Sequence, residues 1–174
     1  MEYKASLDSV AKSVTWGVFI LFLLIAFGCI WIQQQPDVTG KRLFGSSVVV
    51  VLCLVFWIGT YGFSPQSYWL EDGVLTVKRA FKSRKIYLDQ ISEIRPVEEG
   101  EMKRTVRTFG SGGLFGYFGK FYNSTFGSMT WYATKRKEMV LIVLKRGEKI
   151  IITPDDFAII AAVQTMMGQG DAAA

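Results

Sequence analysis

QSYWLEDGVLTVKRA, residues 66–80, is where the chain changes its period. Gln66 to Glu71 and Val74 to Ala80 are short runs on either side of Asp72-Gly73, a dipeptide that supplies the positive φ of a tight hairpin turn. Arg84 to Asp89 alternates, with Ile86 and Leu88 on one side and Tyr87 on the other. Everything before residue 64 reads differently.

The chain has 174 residues, half of them hydrophobic, and a mean hydropathy of +0.26. The first third supplies that positive value. Val14 to Ile32 is nineteen residues without a charge, and Phe44 to Phe63 is twenty more. At about 1.5 Å per residue each run spans roughly 28–30 Å, the thickness of a hydrocarbon core. Neither has the polar face that a soluble helix needs. The expectation is two transmembrane helices. A cleaved signal peptide is the rival for the first run, but the run is too long and no small-x-small site follows it. Ala26-Phe27-Gly28-Cys29 is a poor lipoprotein site because of Phe27 and the apolar run that continues beyond it.

Gln33 to Leu43, with Pro36 and Gly40, is a short polar link, so the two helices form an antiparallel hairpin and both chain ends share one side. Lys4 and Lys12, Lys41 and Arg42, and then Lys78 and Arg79 leave the positive-inside count nearly balanced. Trp16, Trp31, Trp57 and Tyr61 stand near the run ends, where amphipathic rings favour the interface. In the leading segment 1–13, Tyr3, Leu7 and Val10 share a helical face, which suits either a short interfacial helix or a frayed terminus.

There is no histidine, and the two cysteines, Cys29 and Cys53, both lie in the apolar runs. That pattern fits neither a zinc site nor a secreted disulfide framework. It also removes the commonest general base and any exposed thiol nucleophile. No catalytic, cofactor-binding or metal-binding residue is expected, and the function is read as non-enzymatic.

Beyond residue 64 come seven or eight short strands about ten residues apart, the spacing of a small antiparallel barrel or sandwich. Lys103 to Phe109, Ser128 to Ala133, Met139 to Leu144 and Lys149 to Thr153 continue the series, with Glu98 to Glu101 as a polar turn. Asp155 to Met167 reads as a helix with Thr153 as N-cap and Pro154 at its first position. Asp155 and Asp156 then complement its positive end. The expected fold is α+β: a membrane hairpin (14–63, with spans 14–32 and 44–63), then a small β-barrel or sandwich capped by a C-terminal helix (64–167), then a mobile tail (168–174).

Two spans followed by FSPQSYWLEDGVLTVKRAFKSRKIYLDQISEIRPV (63–97), and then by GSGGLFGYFGKFYNSTFGSMTWYATKRKEMVLI (110–142), resemble the bacterial pleckstrin-homology-like membrane proteins. The resemblance covers about residues 64–167 and is most specific in the 110–142 block. It implies seven strands in two packed sheets with a capping helix. For function it implies only an interaction or scaffold module, since fold is no warrant for activity.

The glycine-rich stretch 110–129 fails as a phosphate cradle. Gly119-Lys120 lacks the glycine expected at 114, which is Leu, and the hydroxyl residue expected at 121, which is Phe. The dinucleotide pattern fails at Phe115. Two readings remain open. In one, the stretch is a structured loop or irregular strand whose Phe115, Phe118, Phe121 and Phe126 pack on the barrel. In the other, Phe115, Tyr117, Phe118, Phe121 and Tyr122 meet the membrane or a partner.

Lys78, Arg79, Lys82, Arg84 and Lys85 cluster around one turn as candidate contacts for anionic headgroups, against the alternative of ordinary solvated charge. Lys135, Arg136 and Lys137 make a second basic run. Beyond residue 63 sixteen basic and twelve acidic residues leave a net charge of +4, too modest for a nucleic-acid partner. Asn123-Ser124-Thr125 has the form of a glycosylation acceptor that a bacterial cytoplasm leaves unused. The expectation is a module at the bacterial inner membrane, with its domain and both termini in the cytoplasm. It would bind a protein partner, another copy of itself or anionic lipid. The alternative is small-molecule or lipid binding or transfer through an open barrel mouth, lined by Tyr87, Trp131 or the aromatics of 110–129.

Overall fold

The computed structural model describes residues 1–35, 40–98 and 100–171. Both apolar runs are helical. Helix α1 spans Ser9–Gln33 and α2 spans Gly40–Phe63, each longer than its uncharged run. Both are long and apolar enough to cross a membrane. They pack through aromatic rings, with Phe19 5.6 Å from Trp57 and Phe22 6.2 Å from Phe56, centroid to centroid. Their other faces leave Leu23, Leu24, Leu52 and Val55 more than half exposed. Side chains of that kind are uncovered at no cost only where the surrounding solvent is itself hydrocarbon. Positions 36–39 of the expected link lie outside the described residues.

The start of the chain corrects the expectation of an interfacial helix. Glu2–Lys4 is a strand, β1, and Asp8 rather than the first residues begins α1. Tyr3 pairs with Tyr68 and is buried in the core. The alternation of Glu2, Tyr3 and Lys4 is a period-2 signal in a segment too short to reveal it without its partner strand.

Strands β2 (Pro65–Glu71), β3 (Val74–Arg79) and β4 (Arg84–Tyr87) complete a four-stranded antiparallel sheet in the order β1-β2-β3-β4. Asp72 and Gly73 take φ of 47° and 71°, the two positive angles of the expected turn. The second sheet has six strands: β5 (Ile91–Pro96), β6 (Val106–Gly113), β7 (Gly116–Asn123), β8 (Gly127–Ala133), β9 (Val140–Leu144) and β10 (Lys149–Ile152). Their order is β5-β9-β10-β8-β7-β6, with β8 and β10 parallel. The result is a two-layer sandwich, not a closed barrel, and it has ten strands where the residues led us to expect seven or eight and the resemblance implied seven. The excess comes from β1 and from the glycine-rich stretch, which takes the irregular-strand form of its first reading and folds as paired strands.

Glycine makes that pairing possible. Gly110 faces Gly119 across β6 and β7, at φ of 104° and 119°. A β-carbon at Gly119 would sit 2.3 Å from the Phe109 carbonyl oxygen, and one at Gly110 would sit 2.1 Å from that of Phe118.

Helix α3 spans Ala158–Asp171, beginning later and ending later than expected. Positions 168–171 of the expected tail are therefore helical, and 172–174 lie outside the described residues. Thr153 is not its cap. That hydroxyl accepts the Thr134 N–H at 2.8 Å, while Asp156 accepts the N–H of Ala158. Asp155 bonds Ser6 and Lys135 instead of the helix.

Ile159 and Val163 of α3 join Tyr68, Leu75, Ile142, Ile150 and Ile152 in the core between the sheets. A second core lies on the other face of the six-stranded sheet, where Ala11 at the foot of α1 meets Tyr117, Phe121, Met129 and Trp131. Phe121 stacks on Trp131 at 4.2 Å.

Gly119→Ala is expected to lower stability by about 2–4 kcal/mol, because strain at positive φ adds to a backbone clash. Gly28→Ala, whose β-carbon meets nothing within 4 Å, is expected to be near neutral. Thermal unfolding of both variants in detergent checks this contrast.

Candidate functional site

Two strands that neighbour each other in space, β1 and β2, flank the membrane hairpin in sequence. Both feet of the hairpin are therefore tied into one sheet. The junction is built by Asp8. Its carboxylate caps α1 by accepting the Ala11 N–H at 2.7 Å, and it also accepts the Tyr117 hydroxyl at 3.2 Å and the Arg136 N–H at 3.1 Å. Burial, and then the charge of Asp8, push the Tyr117 hydroxyl's pKa above its ordinary value. Asp155 repeats the device nearby. Burial raises its pKa, but the Lys135 ammonium and the Ser6 hydrogen bonds outweigh that and hold it below the usual carboxylate range.

The tip of the β6–β7 hairpin docks on the helices. Phe115 lies 4.7 Å from Trp57 and 5.4 Å from Tyr61, edge to face, and its N–H donates to the Thr15 hydroxyl at 3.0 Å. Thr15 and Trp57 each lie about 9 Å along their helix from its domain end, at a rise of 1.5 Å per residue.

Between this docked tip and the main sandwich a groove opens. The six-stranded sheet extends past the four-stranded one. On β7 and β8, Phe118, Lys120, Thr130 and Tyr132 share the face that, on β10, carries the core residues Ile150 and Ile152. On this extension the face is not covered by strands. It looks instead onto Val14 and Val18 of α1 and Val55, Phe56 and Gly59 of α2, enclosing about 900 Å³. Arg79, Arg107 and Lys120 also line it, and among the described residues no carboxylate does. Among the described residues none of these three cations has an ion pair. Arg79 lies over the rings of Phe63 and Tyr132, and its Nε is buried without a hydrogen-bond partner. Lys120 donates to Thr130 Oγ1 at 2.7 Å. Tyr68 ties down the inner end: its hydroxyl donates to the Tyr132 carbonyl at 2.6 Å and accepts the Thr153 N–H. Burial pushes that hydroxyl's pKa up to about 12.

The aromatics proposed from the sequence as an outward contact surface are mostly committed within the chain. Tyr117, Phe118 and Phe121 are buried, Phe115 is half-buried against the helices, and of the five only Tyr122 is exposed. Their apolar bulk is consumed by the second core and by the helix junction. The basic cluster also divides. Lys78 sits 3.4 Å over the Trp69 ring, Arg84 reaches Glu148 at 3.4 Å, and Lys82 and Lys85 are exposed. Only Arg79 of that cluster lines the groove. Arg107 and Lys120 join it there, and sequence reasoning passed over both. A signal existed, since Lys120 is the one charge in the twenty residues 110–129. Neither Tyr87 nor Trp131 lines the opening: Tyr87 is exposed on the far sheet, and Trp131 is buried under Phe121. Among the described residues, no three His, Cys, Asp or Glu side chains gather where they could share a metal ion.

A two-layer sandwich with a C-terminal helix, set on a pair of apolar helices, defines a membrane-type pleckstrin-homology-like protein. A family model described as Bacterial PH domain matches residues 66–164, more than half of the chain, and the chain belongs to that family. No curated protein and no solved structure matches it.

Asp8→Ala removes a helix cap and leaves the Tyr117 hydroxyl and the Arg136 N–H without an acceptor. A loss on the order of 2–4 kcal/mol is expected in thermal unfolding, with Asp8→Asn, which keeps the cap, losing less.

Proposed function

We propose that this chain is a non-enzymatic interaction module held at the bacterial inner membrane, with its sandwich and both termini on the cytoplasmic side. The observation that carries this reading is the insertion of the membrane hairpin between β1 and β2, which ties the sandwich to the bilayer at two points. A domain held that way is suited to presenting a surface to molecules that move along the membrane. The outermost strand, β6, supports a protein partner or a second copy as one ligand. It ends its sheet and exposes Val106 and Phe109, at 61% and 77%, features that favour strand addition. The groove beside it favours a second reading, in which the ligand is a small amphiphile bound or transferred between the sheet and the helices.

Crosslinking in native membranes, followed by mass measurement, is expected to recover a higher-mass species that weakens in Val106→Lys. Recovery of the monomer alone, in both proteins, would overturn the partner reading. A reporter fused after Ala174 is expected to be active only in its cytoplasmic form; activity of a periplasm-dependent reporter would reverse the orientation.

A further inference from the structure

We infer that the groove between the β6–β7–β8 extension and the membrane helices is a binding site for one anionic phospholipid. The acyl chain would lie against Val14, Val18, Val55 and Phe56, and the phosphodiester against Arg79, Arg107 and Lys120. The inference deepens the amphiphile reading above and rests on it.

The shape of the groove has two ends of different chemistry. Its helix-side wall runs from Phe63, the last residue of α2, to Val18 and Val55, two to three turns in from the domain ends of α1 and α2. Those helices have 25 and 24 residues, or about 36–37 Å at 1.5 Å per residue, against a hydrocarbon core of about 30 Å. Only the outermost turns lie beyond the core, so Val18 and Val55 stand at acyl-chain depth. The basic end, Arg79 and Lys120, is displaced towards the domain, and the Arg107 guanidinium reaches along β6 to Gly112, between that end and the tip. Phe109 and Lys120 pair with each other five residues back from Leu114 and Phe115 at the hairpin tip, roughly 16 Å along extended strands. Arg79 stands opposite Pro65, immediately after α2.

Charge fixes the class of ligand. Among the described residues three cations line the groove without a carboxylate, and the buried Arg79 Nε has no acceptor. A guanidinium so placed is completed by an oxyanion, and phosphate oxygens match its planar donors. A free phosphate would satisfy the cations but leave the apolar wall empty. A fatty tail alone would do the opposite. A membrane phospholipid satisfies both, and the volume of about 900 Å³ falls within the roughly 300–1,000 Å³ of small-molecule sites. Val55 and Phe56 on the helix-side wall are more than half exposed, so a lipid can reach the groove without leaving the membrane.

The test uses the full chain in phosphatidylcholine nanodiscs containing a small fraction of phosphatidylglycerol with a photoactivatable acyl chain. Every lipid touching the helices labels α1 and α2, and that background is the internal control. Expected in addition is labelling of β6 and β7 within residues 109–119, with phosphatidylcholine carrying the same probe labelling them far less. The combined Arg79→Gln, Arg107→Gln, Lys120→Gln variant is expected to cut strand labelling by at least about tenfold, as loss of three headgroup contacts implies, while helix labelling stays. Gly59→Phe fills the groove from a position whose β-carbon meets nothing within 4 Å, and is expected to abolish strand labelling with all three cations intact. Absence of strand labelling in the unmodified chain, equal labelling by both lipids, or labelling unchanged in the two variants would each overturn the inference. Inorganic phosphate at millimolar concentration is expected not to compete; full competition would reassign the site to a free anion. Loss of the lipid signal with a crosslinked protein species retained leaves the interaction module standing and removes only its lipid ligand.

Discussion

The rest of the structure depends on one pairing, that of β1 with β2. Glu2, Tyr3 and Lys4 lie beside Trp69, Tyr68 and Ser67, yet two membrane-length helices separate them in sequence. Strands in a sheet are held about 4.8 Å apart, so the two feet of the hairpin are set side by side before any helix–helix contact is counted. Asp8 then turns this proximity into a defined angle, because one carboxylate caps α1 and holds Tyr117 and the Arg136 backbone together. A tethered domain would be free to swing on a linker. This one meets its helices through a strand pair, a shared carboxylate and the Phe115 tip.

That arrangement explains why the six-stranded sheet can exceed its partner. The four-stranded layer reaches β8 at Tyr132, through Tyr68 and Arg79, but β6 and β7 extend beyond it, and an uncovered apolar sheet face is unstable in water. Here one face is covered by the foot of α1, through Ala11 against Tyr117 and Trp131. The opposite face meets the upper turns of both helices only at its tip and its margin, which leaves the groove. The glycines follow from the same geometry. Gly110 and Gly119 allow two backbones to approach where any side chain would strike a carbonyl, so the extension can bend towards the helices.

Much of this was legible in the residues. The two uncharged runs, the Asp72-Gly73 turn, the alternating strands and the terminal helix each carry a local signal whose period is set by backbone geometry. The family was also readable, from the 63–97 and 110–142 stretches. What composition left open was exposure. An aromatic-rich segment reads the same whether its rings face lipid, a partner or the chain's own core, and Tyr117, Phe118 and Phe121 turned inward. Composition left the basic cluster near residue 80 open in the same way. Adjacent residues of a strand point to opposite faces, so Lys78 and Arg79 parted company, and Arg79 met cations about 30 and 40 positions further on.

By itself, then, the sequence determined the membrane hairpin, the strand-rich domain and its capping helix, because each is specified by contacts within a few residues or by hydropathy over one span. The tertiary structure alone decided that Glu2–Lys4 is a strand, that the hairpin is inserted within a sheet, and that Arg79, Arg107 and Lys120 share one groove. Those facts are contacts between residues far apart in the chain. Hydrogen bonding across strands and burial against a second layer bring such residues together, and neither leaves a local period to read.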